Sequence, residues 1–112
     1  MTKQKHNIYD MAAGLTKPFE RIMVAEVDDY CAFLVYIDGA YLYHQHPQDE
    51  MYLVLEGEIA VDYEDGASIV LKPGDSMVAK ASRKHRSRSD EGAKVLIFKA
   101  QAHLWGEVES QD

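Results

Sequence analysis

A chain of 112 residues has room for one hydrophobic core and not for two. Its net charge of −7 argues against general nucleic-acid binding, and no apolar run approaches the roughly 20 residues of a membrane span. The N-terminal Met-Thr-Lys-Gln-Lys-His-Asn lacks a signal peptide's apolar region, and the single cysteine, Cys31, allows no intrachain disulfide, so a reducing cytoplasm is the expected location.

Residues 1–10 are polar and expected to fray. Residues 10–19 have room for one helical turn, ended before Pro18. From Glu20 the pattern changes to short β-branched and apolar runs. Strands are expected over 21–27, 32–37, 40–46, 50–56, 58–63, 68–71, 76–79, 85–89 and 94–99. Asp28-Asp29, Asp38-Gly39, Glu64-Asp65-Gly66 and Lys72-Pro73-Gly74-Asp75 mark turns between them. So many short strands at close spacing predict an all-β sandwich or barrel. The chain divides into an N-terminal arm (1–19), a barrel (20–100) and a polar tail (101–112) that carries Leu104 and Trp105. Cys31 heads an apolar run and reads as an inert core residue.

Alternation along the strands groups side chains by face. It puts His44 with Leu42, Glu50 with Tyr52 and Val54, and His85 with Ser87 and Ser89. Ile59, Val61 and Tyr63 form a further inward set. The interior is then an apolar bowl with a polar patch at one end, the usual make-up of a small-molecule pocket. Tyr41, Tyr43, Met51, Leu53 and Leu55 fall on the opposite faces. Such an apolar surface implies cover, and a homodimer is the expected one, with a second sheet or the arm as the alternative.

The segment from 39 to 57 holds the chemistry. His44 and His46 stand at i and i+2, so both point the same way from a strand. Pro47 ends that strand's hydrogen bonding, and Glu50 opens the next. Folded back, its carboxylate meets the two imidazoles. Nitrogens with one oxygen, and positions left open, suit a catalytic transition metal or zinc.

His44-x-His46-x3-Glu50-x6-Gly57 after Gly39 resembles the first motif of the cupins. Pro73-Gly74-Asp75 followed by His85 resembles the second, with Lys80 and Ser82 where the family has Pro and Gly. The first motif also has four residues, not five, between Gly39 and His44. The resemblance covers residues 22–99 and is nearest to the small single-domain cupins, the mannose-6-phosphate isomerase-like or RmlC-like proteins. It implies a double-stranded β-helix, the cupin jelly-roll barrel, with an N-terminal arm. It also implies one divalent metal (Fe, Mn, Ni, Cu or Zn) on His44, His46, Glu50 and His85. The function implied is a metal-dependent enzyme on a small organic molecule, of dioxygenase or isomerase/lyase type. The alternatives are a non-catalytic small-molecule-binding or sensor cupin and, last, a structural protein.

Other residues have two readings each. Lys80, Arg83, Lys84, Arg86 and Arg88 place five of twelve basic residues within nine positions. Either they draw an anionic substrate to the barrel mouth, with Arg83 and Lys84 the substrate-binding candidates, or they form a solvated edge that resists aggregation. Tyr52, on the Glu50 face, is the candidate catalytic tyrosine, and its bland reading is core packing with a satisfied hydroxyl. Asp49 faces away from Glu50 and reads as a turn residue. His6 and His103 read as bystanders, or His103 with Trp105 as a lid.

Overall fold

The computed structural model describes residues 5–101; the proposed His103–Trp105 lid lies outside them. One short helix, α1 (Ile8–Ala13), precedes seven strands: β1 (Arg21–Val27), β2 (Tyr30–Ala40), β3 (Glu50–Glu56), β4 (Ile59–Tyr63), β5 (Ser68–Leu71), β6 (Ser76–Ala79) and β7 (His85–Ala100). Every pairing is antiparallel, in the order β1-β2-β7-β3-β6, with β4 also on β7 and β5 on β4. This is the expected all-β barrel with a short N-terminal arm.

Two expected strands are one. Residues 85–89 and 94–99 belong to the 16-residue β7, which is the spine of the barrel. Asp90-Glu91-Gly92, between the two expected strands, forms a bulge. Ile37 pairs with Ala93 and Gly39 with Ser89, so β7 carries extra residues opposite Asp38. The bend lets the first half of β7 pair with β4 while the second half lies between β2 and β3. Asp38-Gly39 likewise makes no hairpin, because β2 runs through both.

A third expected strand, 40–46, is not one. It touches β7 at Tyr41, whose N–H donates to the Ser87 carbonyl, and at His44, which exchanges backbone bonds with His85 (all 2.9 Å). Three steps along this segment match two along β7. That extra residue reverses the alternation, so Tyr41 and His44 face inward together. Leu42, expected beside His44, is 64% exposed.

The inner faces enclose one core, which includes Phe33, Val35, Ile37, Tyr52, Val54, Ile59, Val61, Val95 and Ile97. A second cluster lies outside the sheet. There Ala12 of α1 and Leu15 just after it lie on Leu34 and Leu55, with Leu53 and Tyr36 packed against them. The arm therefore covers Leu53 and Leu55, for which a partner subunit was the expected cover. The helix starts earlier than expected because Asn7 caps it, its side-chain oxygen accepting from the N–H groups of Tyr9 and Asp10 (both 3.0 Å). Lys94 on β7 anchors its end by donating to the carbonyls of Ala12 and Leu15. No helix among the described residues is long and apolar enough to cross a membrane.

Asp62 on β4 ties two members of the basic run to the barrel wall. It is buried and accepts from Arg88 Nε (2.7 Å), Ser68 Oγ (2.8 Å) and Arg86 Nε (3.0 Å). Burial alone raises its pKa, but the two guanidiniums and the hydroxyl outweigh that and hold it at about 2, against 3.8 ordinarily. The stabilisation is complete above the ordinary value and is lost as pH falls through the folded one. It amounts to about 1–2 kcal/mol once the half-exposed arginines are discounted. Asp62→Asn should therefore be less stable than wild type by that amount at neutral pH. The gap should close between about pH 4 and pH 2. Urea unfolding at a series of pH values checks this, and a gap that persists at pH 2 would refute the linkage.

Candidate metal centre

Four polar side chains converge inside the barrel. His44 and His46 arrive on the segment before β3, Glu50 opens β3, and His85 opens β7. All four are buried, and one ligand atom from each lies within 4.8 Å of the others. Glu50 Oε1 is 3.5 Å from His85 Nε2, and Glu50 Oε2 is 3.6 Å from His46 Nε2. Donors bound at about 2.1 Å to one octahedral ion are separated by about 3–4 Å, so the cluster has the dimensions of a coordination sphere.

The tautomers suit that use. His44 Nδ1 lies 2.8 Å from the Leu42 carbonyl, and His85 Nδ1 lies 2.8 Å from the Arg83 carbonyl. A carbonyl only accepts, so each Nδ1 carries the proton and each Nε2 keeps its lone pair. Burial, the largest influence on Glu50, works to raise its pKa. His85 and His46 in their protonated forms, with Lys99 and Tyr52, reverse that and hold the carboxyl at about 2. The carboxylate is thus ionised at any working pH. Three imidazoles and one carboxylate, buried and oriented, fit a divalent first-row metal or zinc.

Tyr52 sits where the alternation of β3 puts it, two residues from Glu50, and donates to Glu50 Oε1 at 2.7 Å. Its hydroxyl is committed to holding the Glu50 carboxylate. Arg83 and Lys84 are not brought to the cluster. Arg83 pairs with Asp65 and stacks on Tyr63, 3.5 Å from the ring centre, and Lys84 pairs with Glu64. Lys80 pairs with Asp49, whose other oxygen accepts from the Ala81 N–H. Each cation of the run from 80 to 88 has a carboxylate on a neighbouring segment. Cys31 is buried, and burial pushes its thiol pKa up.

Among the described residues, the cations that do reach the site are Arg21 on β1 and Lys99 on β7. Both line a cavity that His44 and Glu50 close at one end, and Tyr41 and Phe19 border it. Lys99 Nζ is 3.9 Å from Glu50 Oε2. The signal for Lys99 is its phase: it shares a face with Val95 and Ile97, which are core.

Fold and cluster together define a β-barrel protein with a buried His₃-Glu cluster of the kind that could hold a metal. The cupin domain family matches residues 35–99, so the chain belongs to the cupin family. An uncharacterized protein of Bacillus subtilis (strain 168), YdbB, is 36% identical over 84 residues, 74% of each chain. A cupin-2 domain containing protein from Shewanella frigidimarina NCIMB 400 is similar in structure, with a TM-score of 0.81 and 26% identity over 86% of this chain and 94% of that one. The DMSP lyase DddQ from Ruegeria pomeroyi DSS-3 is similar with a TM-score of 0.65 and 28% identity over 76% of this chain. This chain spans 48% of that enzyme's length.

Proposed function

We propose that the protein is a metal-dependent enzyme acting on a small organic molecule, of the isomerase/lyase or dioxygenase type. The observation that carries this is the opening of the His₃-Glu cluster onto a cavity: His44 and Glu50 are at once cluster members and cavity wall. A purely structural site would be closed on all sides. Likeness to a lyase of the same fold supports the enzymatic reading.

A metal held by His44, His46, Glu50 and His85 would supply a Lewis acid, or a redox centre if iron, manganese, nickel or copper. The chain's own residues supply the rest. The Leu42 and Arg83 carbonyls aim the Nε2 atoms of His44 and His85. Tyr52 fixes the rotamer of Glu50, and Lys99 favours its ionised form. Phe19, Phe33 and Ile97 form an apolar wall that limits water at the reacting end.

Protein purified without chelators or a histidine tag should carry near-stoichiometric metal by plasma mass spectrometry. His44→Ala and His85→Ala should each reduce it by more than about tenfold. The metal found decides between oxygen chemistry and Lewis-acid chemistry. If wild type holds no metal and takes none up when it is added back, the enzymatic reading fails and the barrel is a metal-free binding module.

A further inference from the structure

We propose that the cavity takes a small organic acid, its carboxylate held by Lys99 inside and met by Arg21 at the mouth. This deepens the reading above and rests on it only for the metal end of the site.

Charge carries the inference. Among the described residues that line the cavity, Glu50 is the one acid, and Lys99 and Arg21 are the cations. The balance is one surplus positive charge between the walls of Phe19, Phe33, Val35, Ile37 and Ile97. A divalent ion on the histidines makes the surplus three. Arg21 carries its charge at the exposed mouth and Lys99 shares Glu50, so an entering anion meets a net positive field along the cavity.

Geometry places the anion. Lys99 Nζ stands 4.9 Å from the centre of the Phe33 ring, and Arg21 Cζ stands 4.7 Å from it. The ring orients both cations, and the counter-charge of Lys99 is Glu50. No carboxylate among the described residues pairs with Arg21. Lys99 is buried beside Glu50, whereas Arg21 is exposed at the start of β1. The two lie at different depths of one channel, so an acid entering past Arg21 meets Lys99 next to the metal ligands. The cavity is small, about 40 Å³, which favours a ligand of few heavy atoms.

The test uses the full chain as purified and two matched pairs of probes: propionate with propionamide, and benzoate with benzamide. Affinities come from chemical-shift titration of wild type, Lys99→Met, Lys99→Arg and Arg21→Gln. At least one acid should bind wild type about tenfold or more tightly than its amide. Lys99→Met should lose that preference and Lys99→Arg should keep it. Arg21→Gln, an exposed change that spares the core, should weaken the acid and leave the amide unaffected. The proposal is overturned if neither acid binds, if acid and amide bind alike, or if Lys99→Met and Arg21→Gln both keep wild-type selectivity. Metal analysis of the same samples separates the two readings. Selective, Lys99-dependent binding in metal-free protein upholds the anion site while the metal reading fails. Full metal content without acid selectivity sinks the anion site alone.

Discussion

Gly57→Ala should destabilise the barrel by about 2–5 kcal/mol, although the residue lies outside the metal cluster. Gly57 follows β3 with φ at +80°. A Cβ there would stand 2.4 Å from the Gly92 carbonyl oxygen and 2.9 Å from Ala93 Cα. Both are backbone atoms of the β7 bulge, so relief requires moving the spine of the barrel. Left-handed backbone costs an alanine about 1–2 kcal/mol, and overpacking adds about 1–3. Gly66 is the control. Its φ is +102°, but nothing lies within 4 Å of the position its Cβ would take. Gly66→Ala should therefore bear only the backbone strain. Urea unfolding of both variants reads the difference, and equal losses would show that the contact with β7 has no weight. The contact matters to the site because β7 carries His85 at one end and Lys99 at the other.

The convergence of His44, His46, Glu50 and His85 was legible because it depends on spacing. His44, His46 and Glu50 sit around a proline-bounded connection, and the second motif supplies His85. The exceptions have physical reasons. Alternation fails between 41 and 44 because the chain leaves the ladder and rejoins it one residue out of step. No propensity announces that, so Tyr41 and Leu42 exchange faces. Asp90-Glu91-Gly92 has the composition of a turn, and only the pairing with β2 on either side shows one bent strand. The basic run looks like a patch because sequence displays cations together and hides the carboxylates that fold against them. Asp62, Glu64 and Asp65 come from β4 and the turn after it. Lys99 is the reverse case. A lysine in a strand is read as exposed, but its phase with Val95 and Ile97 puts it inside. Ser82, where the family has Gly, shows what that position requires: its φ is +65°, and its N–H donates to the His46 carbonyl. The conformation needed to hold the His46 segment survives with a serine there.

Glu50→Gln should have two separable effects. It preserves side-chain shape, so the core around Val54 and Ile97 is not disturbed. It removes the only negative charge among the four converging side chains, and metal content should fall by about tenfold or more. It also removes the counter-charge of Lys99, whose ammonium is buried 3.9 Å from the carboxylate. Breaking a buried pair from one side costs about 3–5 kcal/mol, towards the lower end at this separation. The second effect belongs to the protein alone and is read by unfolding chelator-treated wild type and variant. Adding Lys99→Met to Glu50→Gln should restore part of that stability, because the double variant buries no charge at this position. It should not restore the metal, since a thioether beside an amide does not replace the carboxylate. Metal retained by Glu50→Gln would take the carboxylate out of the coordination sphere. Unchanged stability of the metal-free variant would mean that Lys99 is balanced by something other than Glu50, and the charge surplus assigned to the cavity would then have to be reduced accordingly.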